Sequence, residues 1–371
     1  MDICILSMQQ IDNYGSVLQA YALKKSIEQL TNNKVYFIDI INGYKIALDD
    51  NKIFDYKPNA RIEIYKIIEK LKNKYRRVKF HKIFVKFRCE SLQIKRKKDN
   101  KRYYDLCIIG SDEVFNCLQR SHWGFTSQLY GNVKNAKHVI TYAASCGNTK
   151  ENQLSISLKE EIKKALKNIE AFSVRDNNSY DFIYKLIGEK SEIHYDPVLI
   201  YDFSKEIVCS IVNKKLPNNY CVIYSYENRI NDLETIESIK NICKKNNLEI
   251  ITVFGRQQWV KKHYYFSPFE MLNVIKNSKF VITDTFHGTI FSAKYASKVG
   301  IIIRKSNENK LFDLINRLDL NKHVISENNT IDNIYNLNID KEIIEKRTVD
   351  YNNKFKKYIK CNIDYIGKKN G

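Results

Sequence analysis

The chain has 371 residues, 43% of them hydrophobic and 28% charged, with a formal net charge of +20. This length predicts two domains, each large enough for its own core. No run of 18 apolar residues argues for a membrane-spanning helix, and the opening MDICILSMQQ lacks the basic start of a signal peptide, so a cytoplasmic protein is expected.

The charge is concentrated. Residues 57–102 hold 18 Lys/Arg against four acids, which is +14 of the +20. Nine cysteines are scattered without Cys-x-x-Cys or Cys/His zinc spacing. They read as reduced, mostly buried thiols, with no metal site.

Short strand-like runs alternate with amphipathic helical ones, the pattern of an α/β protein with a mainly parallel sheet. Residues 2–7 read as a first strand. Asn13-Tyr14-Gly15-Ser16 is a turn and N-cap signal, and Ala20, Leu23, Ile27 and Leu30 place a helix after it. Residues 35–40 read as a strand and 60–88 as a basic helix. In that helix Ile64, Ile67, Ile68, Leu71, Tyr75 and Val78 form an apolar face, with Lys66, Lys70, Lys72, Lys74, Arg76 and Arg77 around it. Such a helix suits an anionic membrane surface, although a solvated face is the usual fate of a charge run. Strands are expected at 104–109, 139–143, 171–174 and just before Asp196-Pro197.

After residue 200 the pattern restarts. Lys214–Asn219 is a polar, Pro-marked linker candidate. Strands follow at 220–226, 249–254, 279–283 and 300–304, with helices at 232–245, 268–276 and 287–296. The expected division is 1–213 for a first Rossmann-like domain carrying the basic insertion 57–102, 214–335 for a second, and 336–371 for a helical tail. Ligands of open parallel sheets sit beyond the C-terminal strand ends, so chemistry is sought there.

Four strand ends stand out: Asn13–Ser16, GSDEVFN (110–116), SVRD (173–176) and DTFHG (284–288). Arg175 can bind an anion through two hydrogen bonds, or simply pair with an acid. His287 and Gly288 open a helix, where free amides and the dipole favour anions. Asp284 stands where it can orient His287, and Gly288 clears a close approach. Arg256 and Arg304 end two further strands of the second domain. GxGxxG and P-loop fingerprints are absent.

Six ordered pieces together resemble the polysaccharide pyruvyl transferase family: NYGSVLQAYAL (13–23), GSDEVFN, YAASCG (142–147), SVRD, DPVLI (196–200) and SPFEMLNVIKNSKFVITDTFHGTIFSAKYAS (267–297). The resemblance implies a GT-B-like fold, two Rossmann-like domains facing across a cleft. It implies transfer of pyruvate from phosphoenolpyruvate to a sugar of a surface polysaccharide or its lipid-linked precursor, forming a ketal. It carries donor roles onto Arg175 and His287. Thr285 stands where relatives have an arginine, which leaves Arg175 as the clearest anion partner, with Arg256, Lys294 or Arg304 as substitutes for the missing cation; Glu113 and Phe115 depart from the more usual GSDQVWN.

The expected site is therefore His287 and Asp284 as catalytic groups. Arg175, Thr285, Gly288, Arg256 and Arg304 form the donor side, and Tyr14, Ser16, Gln19 and Asp112 the acceptor side. No cofactor is expected beyond the phosphoenolpyruvate donor, and nucleic acid is not expected as a partner because no RNA-binding aromatic motif is present. A nucleotide-sugar glycosyltransferase on the same fold is the alternative.

Overall fold

Neighbouring strands in both sheets of this chain run parallel, so their residues are covered on both faces and read as unbroken apolar runs such as Ile3–Leu6 and Phe280–Thr283. A computed structural model describes residues 1–46, 60–94, 102–119, 121–305 and 307–370, apart from the side chains of 60–73, 309 and 370. Strands β1 (Ile3–Leu6), β2 (Val35–Phe37), β3 (Tyr104–Asp112), β4 (Ala136–Ala144), β5 (Ser173–Val174) and β6 (Glu192–Ile193) form one sheet in the order β2-β1-β3-β4-β5-β6. Strands β7 (Tyr220–Tyr224), β8 (Glu249–Thr252), β9 (Lys262–His263), β10 (Phe280–Thr283) and β11 (Val299–Ile301) form the other, in the order β11-β10-β7-β8-β9.

The helices of the first half are α1 (Tyr14–Thr31), α2 (Ala60–Glu90), α3 (Ile156–Leu166), α4 (Asn177–Ile187), α5 (Pro197–Ile200) and α6 (Ser204–Cys209). Those of the second are α7 (Leu233–Lys245), α8 (Pro268–Lys276), α9 (Phe286–Tyr295), α10 (Glu308–Arg317), α11 (Ile331–Tyr335) and the long α12 (Lys341–Asn370). Their starts follow local chemistry. Asn13, Asp176, Asp196, Asp232, Ser267 and Thr285 each accept a hydrogen bond from a backbone amide of the first turn. Pro197 and Pro268 occupy the first helical position, where a missing N–H costs nothing.

The two sheets make the expected GT-B-like pair. Residues 210–219, between the last strand of one sheet and the first of the other, carry neither helix nor strand. Helix α12 returns to the first sheet: Tyr358 donates to the Thr141 carbonyl at 2.9 Å and Lys369 pairs with Glu170 at 3.3 Å. One apolar cluster runs from β1 and α1 through α5 into α8, α9 and α12, so the two halves share a core behind the cleft.

Strand order locates the cleft. The first sheet reverses direction between β1 and β3, and the second between β7 and β10. Such reversal points open a crevice at the C-terminal strand ends. Ser16 and Asp112 from one crevice and Tyr226 and His287 from the other line a single cavity.

The basic helix differs from its sequence reading. Helix α2 docks through Phe80, Phe84 and Phe87, which meet Tyr14, Tyr265 and Phe269 at ring distances of 5.1–5.8 Å. Tyr75 and Val78, expected on its apolar face, are 69% and 46% exposed. The aromatic stripe lies on a different side of the helix and wins because it meets an aromatic surface. The side chains of Ile64, Lys66, Ile67, Ile68, Lys70, Leu71 and Lys72 lie outside the described residues. Among the described residues no helix is long and apolar enough to cross a membrane.

Candidate active site

The turn after β10 sets the histidine. Thr285 caps α9 by accepting from the Gly288 amide at 2.9 Å, and His287 follows in the first turn. A Cβ on Gly288 would overlap the Thr283 and Thr285 hydroxyls. Gly288 therefore serves packing of α9 on its own strand, not the ligand approach expected of it. Thr285 is nearly buried and engaged as a cap.

His287 is held from the opposite half of the molecule. Its Nε2 lies 3.2 Å from Asp196 Oδ2, at the start of α5. The Nδ1 side of the ring rests on α1, where a Cβ on Gly15 would overlap it. Burial raises the Asp196 carboxyl, but His287 and Arg175 outweigh it and the net shift is downward. Asp196 is thus a buried carboxylate that orients the imidazole and accepts from it.

Asp284, expected in that role, faces away. Its backbone carbonyl accepts from Asn307 at 2.7 Å, and its buried carboxylate pairs with Arg304 at 2.7 Å and Arg229 at 3.9 Å. Burial raises its pKa, only partly offset by Ser225 and the two guanidinium groups. It turns away from His287, still buried, because two cations flank it there, whereas Asp196 already fills the place beside His287.

Arg175 is buried beneath the cavity. It donates to Asp196 at 3.1 Å, lies 4.0 Å from Asp112 and stacks on the Phe286 ring at 4.6 Å. Two carboxylates balance its charge, so it fixes the acids as much as it can attract a donor. The cation that presents itself to the cavity is Arg229, from the loop after β7. It is about one-third exposed and lies over Tyr226 at 4.3 Å. Lys310 on α10 also lines the cavity and pairs with Glu113 across the cleft at 2.8 Å. Neither Arg229 nor Lys310 sits in a motif; Arg229 follows the strand expected at 220–226, so the strand-end rule could have found it, whereas Lys310 lies within a helix.

The other expected cations are elsewhere. Arg304 belongs to Asp284 and does not line the cavity; Arg256 lies near His263, which its charge disfavours in protonated form. Lys294 is tied to the carbonyls of Val198 and Leu199 at 2.8 and 3.3 Å, where burial lowers it to about 7.

On the acceptor side, Ser16 donates to Asp112 Oδ2 at 2.7 Å, and both line the cavity. Asp112 has φ 79°, a left-handed conformation that favours glycine, so its side chain is aimed by backbone strain. Tyr14 and Gln19 do not reach the cavity. Tyr14 is fully buried and donates to the Phe266 carbonyl at 2.8 Å, joining the two halves. Gln19 is fully buried and donates to Ser7 at 3.0 Å. The core shared by the two halves claims Tyr14, and the buried Ser7 hydroxyl at the end of β1 claims Gln19.

The cavity encloses about 360 Å³, within the ~300–1,000 Å³ range of small-molecule sites. Its first-half wall carries a hydroxyl and carboxylates; its second-half wall carries Arg229, His287 and Lys310. An anionic ligand is favoured on the second wall and a hydroxyl-bearing one on the first. Among the described residues no group of three or more His, Cys, Asp or Glu is arranged to hold a metal.

No curated protein matches the sequence. Similar solved structures include UDP-N-acetylglucosamine 2-epimerase from Rickettsia bellii, at 12% identity over 98% of this chain and 97% of that one, TM-score 0.49. The Methanocaldococcus jannaschii UDP-GlcNAc 2-epimerase is 12% identical over 95% and 100%, TM-score 0.44. Escherichia coli heptosyltransferase WaaC is 13% identical over 85% and 100%, TM-score 0.36. The sequence model of one family matches residues 13–296, from the first helix cap to the end of α9, and by that match the chain belongs to the polysaccharide pyruvyl transferase family.

Proposed function

We propose that this cleft transfers pyruvate from phosphoenolpyruvate to a sugar of a surface polysaccharide or its lipid-linked precursor. The observation that carries the reading is the buried Arg175–Asp196–His287 chain, set between a cationic wall and a hydroxyl–carboxylate wall. Arg229 holds the donor's anionic groups, with Arg175 behind them. His287, oriented by Asp196, delivers a proton to the methylene carbon C3, leaving positive charge at C2. A sugar hydroxyl held by Ser16 and Asp112 adds to C2 and passes its proton to Asp112. The C2–O bond to phosphate then breaks, phosphate leaving with the electron pair and the proton held by Asp112; a second hydroxyl adds to C2, gives its proton to the now neutral His287 and closes the ketal.

The test is release of inorganic phosphate from phosphoenolpyruvate in the presence of lipid-linked sugars. His287→Ala should lower turnover by about 100- to 10,000-fold, the usual worth of a positioned acid, with the folded structure retained by circular dichroism. Full activity in that variant removes His287 from the mechanism. Consumption of a nucleotide-sugar, with none of phosphoenolpyruvate, selects glycosyl transfer instead.

A further inference from the structure

Beside the active cavity lies a wider groove of about 920 Å³, and Lys310 lines both. One wall is the outward face of α4 with Asn177, Asp181 and Lys185, extended by Asn152; the other is α10 with Glu308 and Phe312. The two spaces also meet through consecutive residues, since Arg175 borders the cavity and Asp176 the groove. Groove and cavity therefore lie side by side, with Lys310 between them.

Three features define the ligand. The groove's volume lies near the top of the ~300–1,000 Å³ range of small-molecule sites, more than one sugar needs. Its lining carries five carboxylates against four lysines, interspersed with asparagines. That near-neutral, hydrogen-bonding surface gives no pull to a polyanion and suits a neutral polyhydroxylated chain. Helix α10 buries Leu311, Leu314 and Ile315, yet leaves Phe312 41% exposed on its polar side, where it lines the groove. An exposed ring among amides and carboxylates offers a flat apolar face to the C–H side of a sugar.

We propose that this groove is an extension subsite for an oligosaccharide acceptor, holding the sugars behind the modified unit, with Phe312 as its stacking platform. The inference rests on transfer to a sugar, and its test separates the two. Saccharides of graded length, cut from the surface polysaccharide of the producing cell, are titrated into the full chain by calorimetry without phosphoenolpyruvate. Affinity should rise with length beyond a single sugar. Phe312→Ala should weaken the longer saccharides by about tenfold, leave phosphoenolpyruvate binding unchanged and leave the thermal melt unchanged. Length-independent affinity, or an unaffected Phe312→Ala variant, overturns the proposal, as does tighter binding of an anionic polymer. Length-dependent binding without phosphate release upholds the groove and overturns pyruvyl transfer alone.

Discussion

Gly15 illustrates how the site is fixed residue by residue. It lies in the first turn of α1, where alanine is ordinarily the better helix former. A Cβ there would overlap the imidazole of His287, so glycine is required by a neighbour 272 positions away. Gly15→Ala should keep the helix and lower phosphate release by about 100-fold or more, because displacements near 1 Å cost that much; circular dichroism and steady-state kinetics check both. Distance in sequence, here 91 positions, also hid Asp196. DPVLI was legible as a family piece, but only folding shows that its acid, and not the nearby Asp284, meets His287.

At the scale of elements, α10 links the two walls of the cleft. Lys310 reaches Glu113 at 2.8 Å, and burial of Glu113 is outweighed by Lys310, Arg175 and Asn116, which hold its pKa at about 2. A carboxyl depressed in the folded state stabilises above its unfolded pKa of about 4.5, and that contribution is lost as pH falls toward about 2. Urea midpoints at about pH 5 and pH 3 should therefore fall more in the wild type than in Glu113→Gln. The sequence reading named neither α3, α4 nor α10. For α10 a signal existed: Leu311, Leu314, Ile315 and Leu318 follow helical spacing and are buried. For α2 the helix was legible but its docking face was not, because two apolar stripes compete and only the partner surface chooses between them.

At the scale of the molecule, α12 crosses back to the first sheet and covers His194. That ring lies against Tyr358 and beside Ser173, and burial, then Lys354, lowers it to about 4. His263 is lowered to about 4 by burial and then Arg256 and Arg76. The unfolded chain takes up these protons near 6.5 and the folded one does not, so stability is full above about 6.5 and falls as pH drops toward 4. The unfolding free energy should drop between about pH 7 and 5, by about 1–3 kcal/mol per histidine, and His194→Gln should flatten the slope. Helix α2 contributes the remaining whole-molecule expectation. Its exposed Lys74, Arg77, Lys79 and Lys82 surround Tyr75 and Val78, a surface we propose for anionic membrane. Each cation near such a surface adds about 1 kcal/mol, so vesicles containing phosphatidylserine should co-sediment the protein and neutral vesicles should not.

The sequence by itself determined the two parallel-sheet halves, the family, and the strand-end corners that carry His287, Arg175, Ser16 and Asp112. These are local properties: apolar runs, turn chemistry and caps act within a few residues. Tertiary structure alone decided which acid orients His287, which cation faces the cavity, and that Tyr14 and Gln19 belong to the core. Those outcomes depend on two sheets meeting at their reversal points. A buried charge there is stable only beside a partner, and that partner arrives from a remote part of the chain.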